Sequence, residues 1–373
     1  MKNKIVWGTC WYNESADTLI EFFKNSIKVL EELNFEVIPI VFDARYKHNF
    51  EDINLIKREI KNVIIILNNL NIYPNKNYGV ALITNMAKEK GINYVAIVDP
   101  DWDVIERKQS ISNMVFNLIN MNFDILIPDI DSASGRSNLL IGRTVVKLFY
   151  PEYNDILKSP FPGAVAAKTE KLYDIVNSDD YHFDWGGEWD IVALAIDKNM
   201  HIGTSPISVV GVRHRTNTSK MNDSFQIWKA IFENPSIITR CKNINNFALI
   251  NHNNKLYELI KDKSDIKEII KIIENSNPTK TERQILYMIL YPVALIMHKI
   301  AEIPPVDNSN EMPYNKDELY EVFEIGIYIM QQILKNIDIK DINKNAKTIT
   351  GKYFSNWDFY SKKDALKESL VVE

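Results

Sequence analysis

Over its first 130 residues the chain alternates short β-branched runs with stretches of helical length, and this alternation restricts the fold more than any other feature. Lys4-Ile5-Val6-Trp7 is followed by an apolar-periodic segment from Thr18 to Leu33, then by Phe35 to Phe42, Asn54 to Leu70, Gly79 to Lys90 and the run Tyr94 to Val98. Strands spaced by helices of this length predict right-handed βαβ units and a mainly parallel sheet, an α/β fold. Asp124 to Pro128 reads as one more strand, followed by a polar loop over 131–137 and a helix through Phe149. The small-residue run Ala164-Val165-Ala166-Ala167 leads into another helix near Glu170. Beyond residue 225 the apolar residues of Leu256 to Ile273, Glu282 to Ile300 and Lys316 to Lys335 recur at helical spacing, with no convincing strand between them. A chain of 373 residues exceeds what one core usually holds. The expected organisation is an α/β domain over 1–224 and a helical region over 225–373.

Composition narrows the function classes. The net charge is -5, from 44 Lys plus Arg against 49 Asp plus Glu, which argues against a surface built to neutralise nucleic-acid phosphates. Cys10 and Cys241 are the only cysteines and lie far apart, so neither a disulfide framework nor a thiolate metal site is signalled. A reducing, cytoplasmic setting fits that usage, and the N-terminus shows no signal-peptide pattern. The greasiest stretch, Ile285 to Met297, is broken by Pro292 and falls short of the ~20 residues that span hydrocarbon. It reads as a buried helix, packed on the α/β domain or on a second copy of the chain as a homodimer.

Polar residues collect where strands end. Tyr94 to Val98 runs into Asp99-Pro100-Asp101, two carboxylates past the C-terminal end of a buried strand, where open α/β sheets bind ligands. Carboxylates so placed suit a divalent cation shared with a substrate diphosphate; the competing reading is an Asp-Pro turn that closes the strand. The first strand leads into Cys10-Trp11-Tyr12-Asn13-Glu14-Ser15 and the second into Asp43-Ala44-Arg45. Glu14 and Asp43 are acceptors suited to a base imide and ribose hydroxyls, whereas Asn13-Glu14-Ser15 read locally is a helix N-cap. Lys76 stands beside the start of a helix and suits a diphosphate, but neither a Walker A loop nor Gly-x-Gly-x-x-Gly follows a strand. A P-loop kinase and a nicotinamide dehydrogenase are thereby disfavoured. In His182 to Asp190, aromatics and carboxylates precede an apolar helix; Glu188 and Asp190 suit sugar hydroxyls, or else are first-turn acids favoured by the helix dipole. His214, between Arg213 and Arg215, suits a metal beside a phosphate.

Taken in order, these segments resemble the GT-A nucleotide-sugar glycosyltransferases, and within them the retaining group that contains glucosyl-3-phosphoglycerate synthase and mannosylglycerate synthase. The resemblance rests on Tyr12-Asn13-Glu14, the Asp43 turn, Lys76 to Ala81 and Asp99-Pro100-Asp101, then Gly135-Arg136, Arg143 and Tyr150-Pro151-Glu152. It continues through Pro160-Phe161-Pro162-Gly163, Gly187-Glu188 and His214 within Gly211 to Arg215, and spans roughly residues 4 to 220. It implies a GT-A fold, Rossmann-like with a mostly parallel sheet and flanking helices. It also implies a hexose transfer, glucose or mannose, from a nucleotide diphosphate sugar to a small polar acceptor such as glycerate or 3-phosphoglycerate.

Carried over by position, the resemblance puts Glu14 at the nucleobase, with Cys10 and Tyr12 lining that pocket and Asp43 among the donor contacts. Asp99 would lie near the ribose or donor sugar, and Lys76 near the phosphates. Asp101 and His214 would ligate Mg²⁺ or Mn²⁺, and Glu188, with Asp190 close in sequence, would face the reacting centre. Arg136, Asn138 and Gly163 fall in the acceptor site. Where the group carries basic residues after the 125–128 strand this chain has Asp129 and Asp131, which favours an acceptor of modest negative charge. Two other readings stand beside this one: an inverting transferase in which Glu188 or Asp190 is the general base and the acceptor is a polysaccharide or lipid-linked sugar, and a catalytically silent nucleotide-sugar-binding protein.

Overall fold

The computed structural model of the chain describes residues 2–45, 47–68, 76–100, 103–104, 107–130, 141–161, 163–207, 209–211 and 370–372, with isolated positions between 226 and 272. The helices expected beyond residue 280 lie outside the described residues. Two compact units are distinguished: Met1–Ser132, Phe161–Arg213 and Ser355–Glu373 form the first, and Ala133–Pro160 with His214–Phe354 form the second. The stretch 133–160, grouped by sequence with the α/β domain, thus belongs to the second unit.

The first unit is the expected α/β structure. Its strands and helices alternate: β1 (Asn3–Trp11), α1 (Ala16–Glu32), β2 (Phe35–Asp43), α2 (Phe50–Glu59), β3 (Ile64–Leu67), α3 (Lys76–Glu89) and β4 (Tyr94–Val98). Then follow β5 (Asp103–Val104), α4 (Arg107–Asn120), β6 (Ile125–Ile130), β7 (Ala164–Lys168), α6 (Thr169–Val176) and α7 (Gly186–Asp197). The strands β8 (Ile202–Ile207), β9 (Val209–Gly211) and β10 (Leu370–Val372) complete it. Eight strands form one sheet in the order β10-β3-β2-β1-β4-β7-β6-β8, and β5 pairs with β9. Strands β1, β2, β3 and β4 run parallel, and β6 runs parallel to β8. Only β7, antiparallel to both its neighbours, and the edge strand β10 reverse direction.

Several helices of this unit are followed by a residue in the left-handed region, where a side chain is strained unless it is Gly or Asn. Asn34, Asn62, Asn122 and Asn199 have φ of 67°, 58°, 53° and 52°, and Gly91 has φ 64°. Asn62 explains one departure from the sequence reading. The apolar pattern from Asn54 to Leu70 reads as a single helix, but α2 stops at Glu59, the chain turns at Asn62, and the β-branched Ile64-Ile65-Ile66 becomes the third parallel strand. A second departure is β10, a strand in a region expected to be helical.

Hydrophobic burial holds the layers together. Trp7 of β1 is fully buried and stacks on Phe22 of α1 with ring centroids 6.3 Å apart. Phe23, Leu30, Val41 and Ile65 lie in the same core cluster. The second unit contributes α5 (Arg143–Phe149) and a 3-10 turn, Pro151–Tyr153. There Arg240 lies over the Tyr150 ring, 4.1 Å from its centroid, and donates to Glu152 at 2.6 Å.

Candidate active site

The strand order reverses at β1, which lies between β2 and β4, and the carboxyl ends of strands at such a reversal are where open α/β sheets bind ligands. The Thr9 hydroxyl donates to the Val98 carbonyl at 2.7 Å, tying the two strand ends together immediately before Asp99. Lys76, the first residue of α3, is brought to this edge by close helix–sheet contact. A Cβ on Gly79 would lie 2.4 Å from Phe42 Cδ1 and 2.6 Å from Cys10 Sγ, so only glycine lets the first turn of α3 rest against β1 and β2. The Cys10 thiol donates to the Lys76 carbonyl at 3.4 Å.

The first turn of α7 lies against the same turn of α3. A Cβ on Gly187 would meet His182 O at 2.3 Å and Asn77 Cβ at 2.7 Å. Asn77 Nδ2 donates to Asp184 O at 2.6 Å, the Tyr78 amide donates to Phe183 O at 3.2 Å, and the Tyr181 hydroxyl donates to Asn77 O at 3.2 Å. These bonds knit the 181–187 segment to the start of α3. They bring Glu188, in the first turn of α7, to Lys76.

Together they form a charged triad. Lys76 Nζ lies 2.9 and 3.0 Å from the two oxygens of Asp99 and 2.9 Å from Glu188 Oε1. The side chains of Lys76, Asp99 and Glu188 are 5%, 24% and 9% exposed, so Asp99 carries the accessible face of the triad. Burial works against the Lys76 charge, but Asp99 and Glu188 outweigh it and hold the ammonium well above its ordinary range. Within the triad one cation faces two carboxylates, and the partly exposed Asp99 oxygens suit a hydroxyl-rich ligand group. Burial pushes the Cys10 thiol far up, so it stays neutral and lines the pocket without acting as a nucleophile. Burial does the same to the Tyr181 phenol.

The remaining sequence candidates fall into four groups. Glu14 sits just past β1, where its Oε2 accepts from the Tyr12 and Asn13 amides at 3.0 and 3.1 Å and its carbonyl accepts from Trp11 Nε1 at 2.7 Å. The N-cap reading applies to Ser15, whose hydroxyl accepts from the Thr18 amide at 3.2 Å, and not to Glu14. Asp43 and Asp190 are buried and already engaged. Asp43 accepts from the Arg45 amide and guanidinium and lies 3.0 Å from His48 Nδ1, and Asp190 Oδ2 accepts from the His182 amide at 2.7 Å and lies 2.8 Å from His182 Nδ1. Gly163, with φ 73°, turns the chain into β7, a backbone conformation that favours glycine. Asp101, Arg136, Asn138 and His214 lie outside the described residues. No group of three or more His, Cys, Asp or Glu that would hold a metal is present among the described residues.

Sequence reasoning gave no role to His182, Arg45, His48 or Asn77. Arg45 and His48 follow Asp43 by two and five residues, a spacing that local charge pairing would have flagged. Asn77 offered no signal, because its partners are 104 and 107 residues away.

No family model and no curated protein matches the chain. Solved structures do match, and several of those are of one enzyme. Glucosyl-3-phosphoglycerate synthase from Mycobacterium tuberculosis in complex with Mn²⁺, UDP and glucosyl-3-phosphoglycerate is 17% identical with a TM-score of 0.48, covering 64% of this chain and 80% of that one. Its complex with Mn²⁺, UDP-glucose and phosphoglyceric acid gives 17% and 0.48 over 68% and 85% of the two chains. Its complex with Mg²⁺ and UDP gives 16% and 0.47 over 65% and 80%. A likeness at this identity and TM-score assigns no activity to the chain.

Proposed function

We propose that the chain is a metal-dependent GT-A glycosyltransferase that moves a hexose from a nucleotide diphosphate sugar to a small polar, glycerate-like acceptor with retention of configuration. The observation that carries the reading is the Lys76–Asp99–Glu188 triad, built from three distant parts of the chain at the strand-order reversal. Glu14 at the end of β1 supplies an acceptor on the nucleobase side of the same edge. The order of motifs from Tyr12 to His214 supports the same family.

Each described residue then has a task. Asp99 holds hydroxyls of the donor, and Glu188, fixed by Lys76, faces the reacting sugar. Lys76 holds both carboxylates side by side. Asp101 and His214 are the expected ligands of Mg²⁺ or Mn²⁺, an oxygen and nitrogen donor pair that suits either ion. The cation would neutralise the departing diphosphate. In the retaining course the acceptor hydroxyl attacks from the face the diphosphate leaves, so no nucleophilic side chain is required. Asp190, buried and bonded twice by His182, is better suited to fixing the 181–187 segment than to taking a substrate proton. Among the described residues no helix is long and apolar enough to cross a membrane. The work proposed is cytoplasmic.

The test is transfer itself. The chain is incubated with Mn²⁺, UDP- or GDP-activated glucose or mannose, and glycerate, 3-phosphoglycerate or a neutral sugar, and the product is read by NMR. An α-linked glycoside from an α-linked donor supports the reading, with glycerate used at least as well as 3-phosphoglycerate. A β-linked product would establish the inverting course. Binding without donor hydrolysis or transfer would mark a silent nucleotide-sugar-binding protein.

A further inference from the structure

We propose that His182 is a positioning residue: through Asp190 it locks the 181–184 segment to α7 and thereby seats Glu188 against Lys76. The inference deepens the glycosyltransferase reading and rests on it.

The 181–184 segment joins two helix starts. Toward α3, the Tyr181 hydroxyl donates to Asn77 O at 3.2 Å, Phe183 O accepts from the Tyr78 amide at 3.2 Å, and Asp184 O accepts from Asn77 Nδ2 at 2.6 Å. Toward α7, Asp184 Oδ1 accepts from the Gly186 amide at 2.8 Å and Asp184 O from the Gly187 amide at 2.9 Å. Two of the amides that a helix start leaves without intrahelical partners are satisfied in this way. Those bonds reach only the first two residues of α7. Asp190 carries the tie past Glu188: its Oδ2 accepts from the His182 amide at 2.7 Å and lies 2.8 Å from His182 Nδ1. Glu188 is therefore held from both sides, by Gly186 and Gly187 before it and by Asp190 after it.

The imidazole makes the second tie more than a backbone bond. The Asp190 side chain is 2% exposed and that of His182 16%. A carboxylate buried this deeply needs donors in place of the water it has lost. The His182 amide is one, and the ring supplies a second when Nδ1 carries the proton. Among the described residues, His182 is the basic group within ion-pair distance of Asp190.

The packing leaves little room to absorb a shift at this point. A Cβ on Gly187 would lie 2.3 Å from His182 O and 2.7 Å from Asn77 Cβ, so the His182 backbone, α3 and α7 meet directly. Close-packed groups transmit displacement. Glu188 follows Gly187, and its Oε1 lies 2.9 Å from Lys76 Nζ. A small movement of α7 changes that distance and with it the place of the carboxylate that faces the reacting sugar.

The experiment compares His182→Ala, His182→Asn and His182→Gln in the full chain, with Mn²⁺ and the donor and acceptor that the parent turns over best. An Asn side chain can put an amide N–H where Nδ1 stands, whereas Gln reaches to the position of Nε2. Transfer kcat is expected to fall about tenfold or more in the Ala and Gln variants. Donor KM and the affinity for UDP or GDP should stay within about threefold, and Asn should restore kcat to within about threefold of the parent. The Asn and Gln pair decides the matter if His182→Ala does not fold. Parent-like turnover by His182→Ala, equal turnover by Asn and Gln, or a loss of diphosphate affinity as large as the loss of kcat would overturn the inference and leave the glycosyltransferase reading intact. A folded parent that transfers sugar from no donor would overturn that reading instead. Amide exchange without substrate, read by mass spectrometry, then decides the inference: exchange over 77–80 and 182–188 about tenfold faster in His182→Gln than in the parent supports it, and unchanged protection overturns it.

Discussion

Two ion clusters occupy the same edge of one sheet, and they are assembled in opposite ways. At the end of β2, Asp43 gathers Arg45, His48 and the Trp11 face, and the pairs with Arg45 and His48 lie two and five residues apart in sequence. Beyond β4, Lys76 joins Asp99 and Glu188 across 23 and 112 residues. The local cluster forms as soon as the strand ends, whereas the triad exists only once α3 and α7 have docked. The difference is also electrostatic. Asp43 is forked by the Arg45 guanidinium and also meets the His48 ring, while the Lys76 ammonium stands between two carboxylates. The triad is therefore the more fragile of the two and the more dependent on the rest of the fold.

Removing the cation from each cluster separates them most widely. Lys76→Met removes the cation held between Asp99 and Glu188, a change expected to cost about 3–5 kcal/mol. Arg45→Met leaves Asp43 with His48 and should cost less, about 1–3 kcal/mol. Denaturant melts of the two variants give the comparison, and equal losses would erase the distinction. Next in size is Gly79→Ala. Its Cβ would intrude to 2.4 Å from Phe42 and 2.6 Å from Cys10, and overpacking of this kind costs about 1–3 kcal/mol. If that variant melts like the parent, α3 does not need its close seat on β1 and β2.

The smallest effect is in pH dependence. Both cations are opposed by burial and raised by their carboxylate partners, Lys76 above its ordinary value of 10.5 and Arg45 above its own. A group raised on folding stabilises fully below its unfolded value and loses that contribution as pH rises through the folded one. The stability gap between the parent and Lys76→Met should therefore stay flat from neutral pH up to 10.5 and close only above it. The gap for Arg45→Met should stay flat throughout, because guanidinium keeps its proton. Chemical melts across that range read both, and a gap for Lys76 that narrows near neutral pH would contradict the ion-pair assignment.

The same contrast explains what the sequence made legible. Strands β1, β2, β4 and β6 announced themselves because β-branched runs met polar residues at their carboxyl ends. β3 was hidden because Ile64 to Leu67 continues the apolar spacing of α2, and only the left-handed turn at Asn62 separates them. β8 was hidden because its run Ile202-Gly203-Thr204-Ser205-Pro206-Ile207 is interrupted by both Gly and Pro. The reversed direction of β7 has no local signature at all. At the site, Glu14, Lys76, Asp99 and Glu188 were all nominated from strand-end and helix-start positions. That one lysine clasps two of those carboxylates was not readable, since it depends on Gly79 and Gly187 letting two helix starts approach. Asp43 was nominated as a base acceptor because its bonds with Arg45 and His48 could not be weighed without their geometry.

The central claim is that the triad acts on a bound nucleotide sugar through Glu188. Its most direct measurement is the turnover of donor and acceptor, with Mn²⁺, by the parent chain and by Glu188→Gln, alongside nucleoside diphosphate affinity. The neutral amide keeps the size of the side chain and lets Lys76 retain Asp99. The account predicts that transfer and donor hydrolysis fall by about a hundredfold or more, while diphosphate affinity stays within about threefold. A Glu188→Gln chain that turns over at the parent rate would contradict it.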